Sequence, residues 1–279
     1  MLELTGVGSL LRGISVVYWL LATSALALAI WKGPRWWGKS LGAIAVLLLF
    51  GFFPVKGWLE AQKRNAYAQE AWAYFKKLCD EKSGEKIYKT FTGVKSVLVV
   101  KPLPPATDRD HFDQYWYGDP YSLPATSRRD IRAAGLLTLD SRRPTGIQKG
   151  LRFVEIKRDS SEGVRFQRVS SPPGSGGYFV EDIPKSVSNF GISWEDISTP
   201  EDRKYWVAGS RLTVIDLRTK SLVAERIGYF IEAGFGSDSG GRRPWLTSRG
   251  PNTTCPSLKG EDYSDQWFIL TALSVDEGK

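Results

Sequence analysis

Two uncharged apolar runs near the start of the chain constrain its fold more than any other feature. Ile14–Trp31 holds 18 residues without a charge, and Ser40–Val55 holds 16. About 20 apolar residues in a helix cross the hydrocarbon core of a bilayer, and flanking residues such as Lys39 and Lys56 extend a slightly short run. A cleaved signal peptide is the alternative for the first run, but a second run follows at once. We therefore predict a transmembrane helical hairpin with spans at about 14–31 and 40–55.

Basic residues around the two runs predict the orientation of this hairpin. The link Lys32–Lys39 holds three basic residues and no acidic ones, whereas the segment before the first run holds Arg12, offset by Glu3. The positive-inside rule then places the link in the cytoplasm and both termini outside. Three basic residues after the second run favour the opposite orientation (Lys56, Lys63 and Arg64). We predict a periplasmic C-terminal domain, and a cytoplasmic one stays open as the alternative.

The two cysteines bear on the same question. Cys79 lies near the start of the region after the hairpin and Cys255 near its end. In an oxidising compartment they would pair and close a loop of about 175 residues. Two buried, unpaired thiols are the alternative, which suits a cytoplasmic domain. We predict a Cys79–Cys255 disulfide, coupled to the predicted orientation.

The charge balance argues against a nucleic-acid partner. The net charge is +8, of which residues 1–55 contribute +3, so +5 remains for the rest of the chain. Acidic and basic residues are mixed there, without a block of five or six like charges. We expect the lipid bilayer, together with a protein partner or a second copy of this chain, and no nucleic acid.

Residue counts limit the metal chemistry. One His and two Cys leave little room for a His-rich site and none for a four-cysteine zinc site. Asp108-Arg-Asp-His-Phe-Asp113 gathers oxygen ligands, but it lacks the EF-hand spacing and Arg109 would repel a cation. We interpret this segment as a solvated loop and predict neither a metal nor a cofactor.

Residues 56–84 are predicted to form a linking amphipathic helix. Apolar residues recur there at spacings of three and four (Ala68, Ala71, Trp72, Phe75, Leu78 and Cys79). Pro54 and Gly57 are expected to bend this helix away from the second span, and Gly84 to end it.

Residues 85–279 have the short β-branched and aromatic runs that are typical of a mainly antiparallel β domain. Three strand pairs are predicted: Lys86–Phe91 with Val94–Val100 around Thr92-Gly93, Leu151–Ile156 with Val164–Val169, and Tyr205–Ile215 with Ser221–Ile231. A last strand is predicted at Trp267–Leu273, and helical turns at Ser127–Leu137 and Thr199–Arg203. The predicted fold class is a membrane-anchored α+β chain whose β domain forms a sandwich or a partly open barrel.

Two stretches of this domain carry a family resemblance. Cys79, Gly84-Glu-Lys-Ile-Tyr-Lys-Thr90 and Val94-Lys-Ser-Val97 resemble the opening of uncharacterised proteobacterial two-span inner-membrane proteins with a β-rich C-terminal domain. The hairpin from Gly209 to Glu225 is similar to one that they share, except that Lys220 stands where its turn usually has Gly. The resemblance implies a bacterial inner-membrane origin and carries no activity with it.

One short motif is similar to that of a known class of enzymes. Ser237-Asp-Ser-Gly-Gly241 is similar to the Gly-Asp-Ser-Gly-Gly of chymotrypsin-like serine proteases, in which Ser239 would be the nucleophile and His111 the base. Asp130 or Asp140 would complete the triad. However, Ser237 replaces the first Gly, and no Ala-Ala-His-Cys sequence surrounds His111. We prefer a flexible Gly/Ser loop and predict no catalytic residue.

Aromatic and basic loop residues are the candidates for binding. Four aromatic residues fall within seven positions (Tyr115, Trp116, Tyr117 and Tyr121). If they are exposed, they would form a partner surface, and if they are buried, they would plug the core beneath a long loop. Arg242 and Arg243 would contact an anionic ligand if the domain is a sensor.

These observations predict a non-enzymatic binding or accessory protein of the bacterial inner membrane. Its periplasmic β-rich domain would engage an envelope protein or polymer. The first alternative is a cytoplasmic ligand-sensing domain that controls the membrane hairpin, by analogy with two-span antiphage effectors. The second alternative is a membrane-tethered serine hydrolase.

Overall fold

The computed structural model describes residues 7–33, 36–101, 112–115, 136–137, 151–160, 163–171, 178–242, 244–247, 252–257 and 265–275. The chain divides into two compact units, Met1–Gln69 and Glu70–Lys279. Helix α1 (Val7–Lys32) lies in the first unit, where helix α2 (Trp36–Lys82) begins. Both helices contain a segment that is long and apolar enough to cross a membrane. Helix α2 includes the second apolar run and the predicted linking helix, with Pro54 inside it.

In the first unit, α1 and α2 contact each other as an antiparallel hairpin. Near the link they approach closely, since a Cβ built on Gly42 would lie 3.2 Å from the Cβ of Ala29. Farther along, the rings of Tyr18 and Phe50 lie 5.6 Å apart. Pro54 has no N–H to donate to the carbonyl of Phe50 four residues earlier. The hydroxyl of Tyr18 donates to that carbonyl instead, so the polar atom that Pro54 leaves without a helical partner is satisfied.

The second unit is built on one sheet of nine strands. These are β1 (Gly84–Ile87), β2 (Ser96–Lys101), β3 (Phe153–Ser160), β4 (Gly163–Ser170), β5 (Phe179–Ile183), β6 (Phe190–Asp196), β7 (Val207–Asp216), β8 (Ser221–Ile231) and β9 (Thr254–Cys255). The order is β1-β8-β7-β6-β2-β3-β4-β5, and β9 also pairs with β8. Strand β2 is parallel to both of its neighbours, and the other pairs are antiparallel. The predicted antiparallel character is confirmed, but the sheet does not close into a barrel.

The predicted hairpin of Lys86–Phe91 with Val94–Val100 is wrong. Strand β1 pairs with β8 at one edge, where Glu85 lies opposite Arg226. Strand β2 instead lies in the middle of the sheet. Its residues Val97, Leu98 and Val99 are all buried, and a strand that is apolar on both faces belongs at the centre of a sheet.

The other two predicted strand pairs are confirmed. Strands β3 and β4 form one antiparallel pair, and β7 and β8 form the longest pair of the sheet. The turn between β7 and β8 ends at Lys220, whose φ of 57° lies in the left-handed region. Lys220 therefore adopts a backbone conformation that favours Gly.

A short helix and a buried carboxylate follow β6. Helix α3 (Pro200–Lys204) confirms the predicted turn. Thr199 caps it, because its hydroxyl accepts from the Asp202 amide while the Asp202 carboxylate accepts from the Thr199 amide. The end of α2 lies beside it, where the Tyr74 hydroxyl donates to Asp202 at 2.8 Å. Burial and this hydrogen bond raise the pKa of Tyr74 well above its usual value.

The predicted last strand, Trp267–Leu273, is wrong. After the short helix α4 (Pro244–Thr247), the chain forms a third short helix, α5 (Asp265–Ala272). Its Phe268, Ile269 and Leu270 are buried in the main hydrophobic core. Its first residue, Asp265, accepts a 2.7 Å hydrogen bond from the indole of Trp194 and forms an ion pair with Arg226. An acidic residue suits a helix N-terminus, so this segment closes the core as a helix.

The predicted disulfide is present. Cys79 in α2 and Cys255 in β9 are bonded, with their Cα atoms 5.6 Å apart and 176 positions of sequence between them. The bond joins the end of α2 to the strand that pairs with β8 near its C-terminal end.

Candidate functional site

A cavity of about 510 Å³ lies where three parallel strands begin. Strands β2, β3 and β6 each contribute their first residue, namely Ser96, Phe153 and Phe190. The remaining lining residues come from the β1–β2 connection, from the residues before β6 and from the β7–β8 turn (Phe91, Thr92, Gly93, Val94, Lys95, Val187, Asn189 and Arg218). Segments that are far apart in the sequence therefore meet at this cavity.

Three phenylalanine rings form the aromatic part of the lining. The rings of Phe91 and Phe190 lie 4.8 Å apart. The ring of Phe153 has the guanidinium of Arg168 4.4 Å from its centre. The backbone of Phe91 is held by two hydrogen bonds: its amide donates to the carbonyl of Ala272 at 2.9 Å, and its carbonyl accepts from the amide of Ser274 at 2.8 Å. The last residue of α5 and Ser274 just after it thus hold this wall in place.

Two cations form the charged part of the lining. Arg218 is 61% exposed and pairs with Asp216 at 3.3 Å. Hydrogen bonds from Arg218 hold the pKa of Asp216 below its usual range, so this carboxylate stays ionised at neutral pH. Lys95 makes no ion pair within the described part of the chain. The eleven described residues that line the cavity include neither Asp nor Glu.

A buried glutamate lies behind the wall of the cavity. The carboxylate of Glu155 is 0% exposed and accepts a 3.0 Å hydrogen bond from Arg168. Its other oxygen accepts from the Ser186 hydroxyl at 2.5 Å, the Val187 amide at 3.0 Å and the Ser188 amide at 3.1 Å. Burial raises the pKa of Glu155, but these hydrogen bonds outweigh it and hold the pKa below its usual range. The ionised carboxylate therefore fixes residues 186–188, which lead into the cavity wall.

A serine pair connects Glu155 to the cavity lining. The hydroxyl of Ser188 donates to Glu155 at 2.8 Å and lies 3.0 Å from the hydroxyl oxygen of Ser96. Both serines are buried. The hydrogen bonds around Glu155 therefore extend to Ser96, one of the residues that line the cavity.

Of the aromatic candidates, only Tyr115 is described, and its side chain is 66% exposed. The segment before it is fixed to neighbouring helices, since Gln114 donates to the carbonyl of Arg203 at 2.6 Å and the Trp245 indole donates to that of Asp113 at 2.6 Å. Trp116, Tyr117 and Tyr121 lie outside the described residues. Tyr115 therefore stands at the surface beside α3 and α4.

Arg242 is engaged inside the domain. Its guanidinium pairs with Glu232, which is fully buried. It also fills the space next to Gly234, where an added Cβ would lie 2.1 Å from the guanidinium. Arg243 lies outside the described residues. Arg242, the described member of this pair, therefore forms a structural contact inside the domain.

Of the two weak catalytic candidates, Ser239 is described. Ser239 is exposed in a short 3-10 helix (Ser239–Gly241), and the hydroxyl of Ser237 donates to it at 3.0 Å. His111 lies outside the described residues. Within the described residues, no three His, Cys, Asp or Glu side chains come together as a metal site.

Sequence reasoning missed the cavity. Thr92-Gly93 predicts a hairpin turn, but Gly93 has a φ of 68° and lines the cavity instead. In comparisons with known proteins, no protein-family model, curated protein or solved structure matches this chain.

Proposed function

We propose that this chain is a non-enzymatic binding protein anchored in the bacterial inner membrane. Its β domain would lie on the periplasmic side and engage an envelope protein or polymer. The Cys79–Cys255 disulfide is the observation that supports this proposal most strongly.

The disulfide supports the periplasmic side because thiols are kept reduced in the cytoplasm. Disulfides form and persist in oxidising compartments. Cys79 lies in α2, the helix that also contains the second apolar run. A cytoplasmic sensor would have to keep its fold with both thiols reduced.

The cavity supports a binding role for the domain. Its volume of about 510 Å³ is within the range of about 300 to 1,000 Å³ that is usual for ligand sites. It combines aromatic rings with a few polar groups, as such sites do. The serine-hydrolase alternative gains no comparable support, because Ser239 is exposed and its described hydrogen-bond partner is another serine.

Fusions at the C-terminus test the location of the domain. A fused alkaline phosphatase should be active and a fused green fluorescent protein dark, because the first needs an oxidising compartment and the second fluoresces in the cytoplasm. Fusions within the link between α1 and α2 provide the control and should give the opposite result. A fluorescent C-terminal fusion without phosphatase activity would overturn the periplasmic assignment.

The state of the cysteines in cells provides a second measurement. Non-reducing electrophoresis should show a faster band for the wild-type chain, and the band should shift on reduction. Cys79→Ser and Cys255→Ser should both lack this shift. A wild-type chain without a shift, after alkylation at harvest, would contradict the proposal.

A further inference from the structure

The lining of the cavity indicates the charge of its occupant. Lys95 and Arg218 supply positive charge, while Asn189 and Thr92 offer further donors. No Asp or Glu lines the cavity among its described residues, and the neighbouring Asp216 carboxylate is already paired with Arg218. We propose that this cavity binds an organic anion, whose phosphate or carboxylate group lies against Lys95 and Arg218. The inference deepens the proposed binding function and rests on it.

Both cations have donors to spare for such a group. Lys95 is exposed, and its three ammonium donors make no ion pair within the described part of the chain. Arg218 uses Nε and Nη2 toward Asp216, at 3.4 and 3.3 Å, and has further N–H groups. Charge-assisted hydrogen bonds to phosphate or carboxylate are about twice as strong as neutral ones. An anionic ligand would therefore form the strongest hydrogen bonds with Lys95 and Arg218.

The aromatic wall indicates that the anionic group is carried on an apolar body. Phe91, Phe153 and Phe190 lie beside the two cations in the same cavity. Aromatic rings add an apolar contact with a defined geometry. Inorganic phosphate would leave this surface in contact with water, whereas an aryl or alkyl group would cover it.

The cavity wall is already fixed for binding. Glu155 holds Val187 and Ser188 by their amides, and its negative charge is compensated by Arg168. The buried carboxylate therefore supports the wall without presenting an unpaired charge to the ligand. Preorganisation of this kind lowers the entropy cost of binding.

Phenyl phosphate is the probe that combines both parts of the proposed ligand. We expect the full-length chain in neutral detergent to bind it saturably at one site by titration calorimetry. Lys95→Gln and Arg218→Gln should each weaken binding about tenfold, the loss expected for one charge-assisted hydrogen bond. Lys86→Gln, at an exposed lysine outside the cavity, is the matched control and should stay within about twofold of wild type.

Two further ligands separate the contributions of charge and apolar body. Inorganic phosphate should bind more weakly than phenyl phosphate, because it lacks the ring. Benzyl alcohol should bind more weakly than phenyl phosphate, because it lacks the charge. No saturable binding of phenyl phosphate at millimolar concentration, or equal binding by wild type, Lys95→Gln and Arg218→Gln, would overturn the inference.

A lipid headgroup and a free metabolite could both supply such an anion, and bilayers distinguish them. In phosphatidylcholine nanodiscs the phenyl phosphate affinity should equal that in detergent. A loss of affinity on adding phosphatidylglycerol, absent in Lys95→Gln, would identify the headgroup as the occupant. An unchanged affinity would identify a free anion. If the cavity does not bind an anion, the result of the fusion experiment is unaffected, so the two proposals can be refuted separately.

Discussion

Replacement of Glu155 by Gln should destabilise the β domain strongly. One carboxylate oxygen accepts from Arg168, and the other accepts from Ser186, Val187 and Ser188. A Gln amide must place its NH₂ group toward one of these two sets of donors, whichever way it is turned. Breaking a buried ion pair costs about 3 to 5 kcal/mol. Because Arg168 is 26% exposed and can be partly solvated, we expect the lower end, about 3 kcal/mol.

Glu181→Gln is the matched control for this prediction. Glu181 pairs with the same Arg168, at 3.2 Å, but its side chain is 61% exposed. Exposed ion pairs contribute less than about 1 kcal/mol. The two variants thus remove the same charge from the same arginine and differ in burial.

Urea unfolding of the full chain in detergent, followed by tryptophan fluorescence, measures both variants. At pH 7 the free energy of unfolding should fall by about 3 kcal/mol in Glu155→Gln and by less than about 1 kcal/mol in Glu181→Gln. Equal losses in the two variants, at unchanged m-values, would refute the reasoning.

The pH dependence gives a second check on Glu155. Its folded-state pKa is lower than its unfolded-state pKa, so ionised Glu155 stabilises the fold above the usual pKa range of Glu. That contribution is lost as the pH falls through the folded-state pKa. The stability difference between the wild type and Glu155→Gln should therefore shrink in acid. A difference that stays constant even below the folded-state pKa would contradict an ionised Glu155.

Three further predictions concern other parts of the chain. Cys79→Ser opens a loop of 176 positions and should lower the free energy of unfolding by about 5 kcal/mol, with no such loss under reducing conditions, where the wild type is already open. Lys220→Gly should raise it by about 1 kcal/mol because the φ of 57° suits Gly, and a loss would show that the side chain matters more than the backbone. Tyr18→Phe leaves the Phe50 carbonyl without the Tyr18 hydroxyl and should lower the melting temperature of the full chain in detergent. Thr23→Val removes a hydroxyl that is bonded within its own helix and should lower the melting temperature less. Equal shifts in the two variants would argue against the role of Tyr18.

Local patterns in the sequence predicted the elements that form from neighbouring residues. The β3–β4 and β7–β8 pairs are antiparallel and joined by short connections, so the two strands of each pair are adjacent in the sequence. The capping residues Thr199 and Asp202 likewise lie three positions apart. Strands β5 and β6 were missed. Strand β5 is mostly exposed, and in β6 the run from Phe190 has both faces largely buried, so neither alternates clearly.

Elements that depend on distant partners were predicted less well. An apolar run such as Trp267–Leu273 fits a buried strand and a buried helix equally well. The contacts of Asp265 with Trp194 and Arg226, at separations of 71 and 39 residues, favour the helix, and no local pattern contains them. The cavity also depends on residues that are distant in the sequence, because its lining joins the β1–β2 connection to Phe153, Asn189 and Arg218.

The central position of β2 has a consequence for the order in which the domain folds. Val99 in β2 pairs with Ile156 on one side and with Ile192 on the other. Strand β1 pairs with β8, which comes much later in the sequence. As synthesis proceeds from the N-terminus, β2 lacks its neighbour β6 until Asp196 has been made, and β1 lacks its partner β8 until Ile231 has been made. Such distant pairings slow folding, because each long loop must close before its contacts form. The described sheet is therefore complete only when β8 and β9, which lie far along the chain from β1, have been made.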